Sequence, residues 1–411
     1  MFKIVRFPSK LENFFSSLKT EFLFGHFEYF RILVLLIAIS WEDSNISSLC
    51  RHLDQRFFTH RTRYNSFLTS VRWNPEQVLS KKAYEILKIL KLQKGEPIYI
   101  LLDDTKKDKR GKTMDAAGWV YDPVAGRAVW GHQYVKATLL VRGITIPFAI
   151  RLYVKDKDCD ELSVPFFKVT ELAADMISSF NAPAGNKVTV LFDSYYLCPA
   201  VINACRKKGF HFISTLKSNR NLKKRGKKLK SGIYSQYCFK TFNKLKMKIK
   251  KEHGIVTYTY VDAGVIDVSK IGKAHIVFSR KNKEKQIIAL VTDNPKLKAS
   301  EIIKTYSLRW HIEVFFKDSK QLLGLGRYQN RSYKAAVTHL HLVSFAYALL
   351  THIAITGTCA KENKNNKQRQ SVRDLQNAVR TIVWDDTASY LKELPNENSV
   401  FKELRHILVA A

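Results

Sequence analysis

The chain has 411 residues, 45% of them hydrophobic, and a formal net charge of +33. That length and apolar content exclude a disordered tail protein and leave room for two or three domains around a sizeable core. The charge calls for a polyanionic partner, nucleic acid foremost, with a solubilising or membrane-surface excess of lysine as the plainer reading.

Six cysteines (Cys50, Cys159, Cys198, Cys205, Cys238 and Cys359) are scattered, with no C-x-x-C and no zinc-type spacing. Reduced thiols of a cytoplasmic protein are expected. The most apolar run, Ile32 to Ile39, is far short of the roughly 20 residues that cross a bilayer. No membrane partner and no export signal are expected.

The first ninety or so residues have apolar positions at helical spacing in "LENFFSSLKTEF", "FEYFRILVLLIAIS", "NISSLCRHL", "RYNSFLTSVRW" and "SKKAYEILKILKL". They predict a helical domain over residues 1–95. Within it, "NISSLCRHLDQRFFTHRTRYNSFLTSVRW" looks like a helix-turn-helix, with Thr59, His60, Arg61 and Arg63 opening the second helix where base edges and phosphates are met. An ordinary helical hairpin with solvated arginines fits the same residues.

From Glu96 the pattern changes to period two. "IYILL" reads as a buried strand, "QYVKATLLV" and "ITIPFAIRLYV" as a hairpin about Arg142 and Gly143, and "VPFFKVTELAADMISSF" as a helix. Strand "VTVLF", helix "PAVINACRKK" and strand "FHFISTL" follow. The order of three strands, helix, strand, helix, strand predicts a mixed α/β sheet covered by helices. Lys217 to Lys251 contains no acid, and its Lys223, Lys224 and Arg225 with interleaved aromatics suit a phosphate-tracking surface as well as a solvated charge run. Alternating strands after it predict a β-rich insertion. Beyond Lys320 come the long apolar helix "AAVTHLHLVSFAYALLTHIAI", the polar linker "CAKENKNNKQRQS" and a last helical segment, "VRDLQNAVRTIVWDD".

Two acids stand at the ends of buried strands: Asp103 after "IYILL" and Asp193 after "VTVLF". A third, Glu313, lies in "YSLRWHIEVFFKDSK", which as one helix would carry Tyr306, Arg309, Glu313, Lys317 and Lys320 along a single face. Taken singly, an acid after a strand is a turn or cap residue, and the helix face is a ladder of surface ion pairs. Taken together, three converging carboxylates would suit Mg²⁺ or Mn²⁺, two ions about 3.5–4 Å apart acting on a phosphodiester, with the basic and phenolic side chains beside its phosphates.

The spacing Tyr306, Arg309, Glu313, Lys320 resembles the Tyr-Arg-Glu-Lys signature of the DDE transposases of bacterial insertion sequences, in the large subgroup of the IS-four type. "LLDDT" (Leu101 to Thr105) resembles that group's first Asp motif, and "LFDSYY" (Leu191 to Tyr196) its second. The resemblance spans about Ile98 to His341. It implies an RNase H-like core over 96–216 and 299–330, interrupted by the basic β-rich insertion 217–298, preceded by a helical DNA-binding domain and followed by C-terminal helices over 331–411. It also implies that Asp103, Asp193 and Glu313 are the catalytic, metal-binding triad for two Mg²⁺ or Mn²⁺ ions, and that Tyr306, Arg309 and Lys320 hold phosphates.

The activity implied is cleavage at transposon ends and joining of the 3′-hydroxyls to target DNA. The implied partners are double-stranded DNA and a second copy of the chain, in a bacterial cytoplasm at the nucleoid. The other readings are a silent, transposase-derived DNA-binding regulator and a metal-dependent nuclease on the same fold. "DDT" offers two acids; the Asp-x-Thr pattern of the resembled group favours Asp103, with Asp104 pointing to the other face. The chain departs from those relatives that stack a flipped base on tryptophan. No Trp lies between Trp130 and Trp310, so such a platform in the insertion would need Tyr258, Tyr260 or another aromatic.

Overall fold

The period-two runs pair as their alternation predicts, and they pair into one sheet. The computed structural model describes residues 3–408 except 24, 41–44, 123–124, 225, 252–253, 283 and 358–369. Arg225, Cys359 and most of the expected polar linker lie outside the described residues. The strands are β1 Pro97–Asp108, β2 Gly118–Asp122, β3 Arg127–Val141, β4 Ile144–Leu152, β5 Lys187–Phe192 and β6 His211–Leu216. They continue with β7 Asn221–Lys224, β8 Lys227–Lys230, β9 Leu245–Lys251, β10 Gly254–Val268, β11 Gly272–Lys281 and β12 Ile288–Thr292.

The sheet runs β2-β3-β1-β5-β6-β12-β11-β10-β7-β8, with β4 also on β3 and β9 also on β10. β1, β5 and β6 are parallel; β1–β3 and β3–β4 are antiparallel. The mixed α/β class is therefore as expected. The β3–β4 turn falls at Arg142 and Gly143, both with positive φ, the backbone that a two-residue hairpin demands. β2 is a strand that the sequence reading left out. β12 pairs antiparallel with β6, so the basic β-rich segment extends the central sheet.

Helices cover this sheet. Tyr333–Thr356 is apolar on nearly every side and is long and apolar enough to cross a bilayer, but here most of it is buried within the fold. It packs against His26–Ile39, Arg61–Ser70, Pro75–Ile89 and β4. One apolar cluster runs from Ile4 through the sheet to Val383, so the N-terminal helices share their core with the strands. The expected helix-turn-helix is looser than its sequence suggests. Residues 51–60 separate helix Ile46–Cys50 from Arg61–Ser70, where such motifs have a turn of about three or four residues. Leu53 within that stretch is drawn into a bridge with Ile4.

Lys136 on β3 is fully buried, its ammonium donating to Ser344 Oγ at 2.9 Å and lying over the Phe315 ring. Burial holds its pKa well below 10.5. Between that depressed value and 10.5 the unfolded chain binds the extra proton, so this lysine's contribution to stability is full above 10.5 and is lost as pH falls. Lys136→Met should be at least as stable as the wild type at neutral pH, because Ser344 keeps its bond to the Leu340 carbonyl. Denaturant unfolding across pH 7 to 10 checks this: the wild type should gain on the variant as pH rises, and a constant difference would contradict the assignment.

Candidate active site

β1 and β5 run parallel, and their pairing ends with Leu101 opposite Leu191, so Asp103 on β1 and Asp193 just after β5 each lie two residues beyond the last pair, close enough for the Asp193 charge to act on Asp103. Asp103 Oδ1 accepts the Asp104 N–H at 2.9 Å. Asp193 Oδ1 accepts the Tyr195 N–H at 2.9 Å, and its carbonyl accepts the Ser214 hydroxyl of β6 at 3.1 Å.

The third acid comes from above this face. "YSLRWHIEVFFKDSK" is not one helix: Ala299–Ser307 ends, and Trp310–Leu322 begins, around Leu308 and Arg309. Leu308, Arg309, His311 and Ile312 all donate to the residue three before, tightening the backbone there. The expected five-residue face is therefore broken, with Tyr306 closing one helix and Arg309 capping the next. Ile312, Phe315, Phe316 and Ser319 bury the inner side of the second helix. That side sets Glu313 toward β1.

Arg309 joins the acids. Its guanidinium donates to Asp103 Oδ2 at 2.9 Å and is hydrogen-bonded to Glu313. Burial alone would lower the Arg309 pKa, but Tyr306, Asp103, Glu313 and Asp193 around it outweigh burial and raise it. For Asp103 the balance goes the other way. Burial pushes its carboxyl up to about 6, Arg309 pulls it down, and Asp193 and Asp104 push it up again. Burial also raises the Tyr306 phenol, against the pull of Arg309 and of a hydrogen bond with Thr215 on β6.

Lys320 lies on the Asp103 side of β1, donating to Thr105 Oγ1 at 2.5 Å and to the Lys106 carbonyl at 3.2 Å. Lys317 is exposed one turn beyond Glu313. Asp104 points to the opposite face, as alternation predicts, and accepts from Lys106, Gln133 and Tyr196. The remaining sequence candidates lie away from this cluster. Arg61 and Arg63 are exposed on their helix, and Lys223 is exposed on β7. Lys224 turns inward, its ammonium donating to the Tyr234 hydroxyl at 2.6 Å, and so presents less charge outward than its sequence suggests. Tyr258 and Tyr260 are 7% exposed, which leaves neither free to stack on a base. Tyr195 and Trp310, two residues after Asp193 and three before Glu313, are exposed aromatics.

Residues 169–349 match the family model described as a transposase DDE domain, and residues 39–237 match one described as a DDE superfamily endonuclease. Each match covers just under half of the chain. The first match includes Asp193 and Glu313, and the second includes Asp103 and Asp193. No curated protein matches the chain. A piggyBac transposase synaptic complex with hairpin DNA, solved by cryo-EM, aligns over 98% of this chain and 81% of its own with a TM-score of 0.45 and 9% identity, a likeness too remote to argue from.

Further residues, not marked out by the sequence patterns, hold the elements around this cluster. Lys109 donates to the carbonyls of Gly326 and Tyr328 at 2.8 and 3.0 Å, and the Tyr328 hydroxyl meets His132 Nδ1 at 2.5 Å. These bonds tie the loop after the Glu313 helix to β1 and β3. Gly326 has φ +78°, and a Cβ there would lie 2.8 Å from Lys107 and 2.9 Å from the Tyr134 hydroxyl. The clue in the sequence was the Gly-x-Gly following the helix.

The raised Asp103 pKa gives a signed prediction. The folded chain takes up a proton at Asp103 between pH 3.8 and about 6, so the stability linked to that proton is complete below 3.8 and lost as pH rises through 6. Asp103→Asn, which cannot ionise, should therefore gain stability relative to the wild type between pH 4 and 7. Urea unfolding at stepped pH measures this, and a difference that stays flat would show that Asp103 titrates normally.

Proposed function

We propose that this protein is a DNA transposase that cuts phosphodiester bonds at transposon ends and joins the freed 3′-hydroxyls to target DNA. One observation carries the reading: Asp103 and Glu313 share the Arg309 guanidinium, and the charge of Asp193 acts on the same group. The DDE family matches supply the reaction class. In this reading β4-β3-β1-β5-β6 is the RNase H-like core, the protein is an insertion-sequence transposase of the IS-four type, and two copies act together because two ends are processed.

The donor set suits divalent metal. Three carboxylates offer hard oxygen ligands, one of them ionises reluctantly because it is buried and stands near other acids, and a guanidinium already fills the cationic role between two of them. Among the described residues the acids are not gathered closely enough to hold an ion as they stand. Asp103, Asp193 and Glu313 would hold Mg²⁺ or Mn²⁺, two ions in this reading, once Arg309 turns away from them. The bound metal would supply activation of the attacking oxygen and stabilisation of the leaving one.

The chain's other residues bind and orient the DNA. Arg309, released from the acids, reaches a phosphate oxygen with its planar fork. Tyr306 orients that guanidinium from the β6 side, and Lys320 and exposed Lys317 place positive charge along the backbone leading away from the cleaved bond. Arg61, Arg63 and Lys223 add charge further from the acids, where contact sets affinity and register without chemistry.

Glu313→Gln tests the assignment. The variant should bind end-bearing DNA within a few-fold of the wild type in gel-shift titrations, yet cleave it at least a hundred-fold more slowly, since one charged ligand is lost while the phosphate contacts remain. Cleavage at the wild-type rate would remove Glu313 from the catalytic centre.

A further inference from the structure

The pairing between β1 and β5 ends at Leu101 and Leu191, two residues short of both acids. No ladder hydrogen bond between these strands therefore fixes the separation of Asp103 and Asp193. What spans the gap lies on the other face of the sheet. Tyr196, 0% exposed, donates its hydroxyl to Asp104 Oδ1 at 3.1 Å. At its own end, the Tyr196 N–H donates to the Asp193 carbonyl at 3.2 Å. At the other end, the Asp104 N–H donates to Asp103 Oδ1 at 2.9 Å. Asp193, Tyr196, Asp104 and Asp103 thus form one continuous chain of bonds around the end of the sheet.

The remaining lone pairs of Asp104 are also held. Lys106 Nζ and Gln133 Nε2 each donate to Oδ2 at 2.8 Å, so the carboxylate is fixed from β1, from β3 and from the segment after β5. A carboxylate tied by three donors on the face away from Glu313 is not free to join the other acids. It is well placed to hold them, because groups behind metal ligands fix ligand orientation and are worth about ten- to a hundred-fold in metal affinity.

We infer that Asp104 and Tyr196 are positioning residues: their hydrogen bond sets the distance between Asp103 and Asp193 at which the two carboxylates share a divalent cation. The inference rests on the metal-binding reading of those acids. It assigns a task to the second acid of "DDT" and to the last tyrosine of "FDSYY". It also separates two effects of substitution, since loss of a packing bond alone lowers stability without changing metal affinity, whereas loss of spacing changes metal affinity.

The test uses full-length wild type, Tyr196→Phe, Asp104→Asn, Asp104→Ala and Asp103→Asn. Mn²⁺ binding is followed without DNA by electron paramagnetic resonance of the free ion, cleavage of end-bearing DNA is followed across Mg²⁺ concentrations, and melting is followed in metal-free buffer. Tyr196→Phe should melt close to the wild type, bind Mn²⁺ about ten-fold more weakly, and recover most of its cleavage rate at high Mg²⁺. Asp104→Asn keeps an acceptor oxygen for Tyr196, so it should bind Mn²⁺ more tightly than Asp104→Ala. This ordering serves if Tyr196→Phe fails to fold. Wild-type Mn²⁺ affinity in Tyr196→Phe, or equal affinities in the two Asp104 variants, would overturn the positioning role. If Asp103→Asn binds Mn²⁺ as the wild type does, the metal-binding reading itself falls, and this inference with it.

Discussion

Acids drawn together at one end of a sheet and partly shielded from water need positive charge, and in this protein Arg309 supplies it. Its guanidinium meets Asp103 directly, is bonded to Glu313 and feels Asp193. Removing one partner from such a group leaves a buried charge uncompensated, at a cost of about 3–5 kcal/mol. The arrangement is therefore stable as it stands, and in the proposed function a metal ion would take over the arginine's role and leave its fork free for a phosphate.

The rest of the fold serves that cluster. Parallel pairing of β1 with β5 brings two acids to the same end of the sheet, and the tightened backbone at Leu308 and Arg309 turns the arginine inward at the start of the helix that carries the third. Phe315 and Ile312 seat this helix, Lys320 fastens it to β1, and the Lys109 and His132 contacts hold the loop that leaves it. The charge of +33 acts at longer range, raising the local concentration of a polyanion around a site whose own acids would repel it.

Much of this was legible in the sequence, wherever periodicity carried the information. Alternation along "IYILLDDT" correctly sends Asp103 and Asp104 to opposite faces, and Arg142-Gly143 marks the hairpin. Local patterns could not show which distant strands pair, so the basic segment read as an insertion although β12 joins it to the central sheet. β9 was hidden because lysine at every second position resembles a charge run, and its apolar partners are only half buried. The break before Arg309 went unseen because no glycine or proline marks it. Tyr196 was missed as a tie to Asp104 because it lies beyond the strand end, where alternation no longer says which way a side chain points.

Action of these acids on DNA is measured by incubating the purified protein with DNA bearing the ends that flank its gene, in Mg²⁺ or Mn²⁺, beside Asp193→Ala. Metal-dependent nicking followed by strand-transfer products is expected from the wild type, and neither from the variant. Tight DNA binding by both proteins with no metal-dependent cutting by either would contradict this expectation and leave a DNA-binding protein on a transposase scaffold.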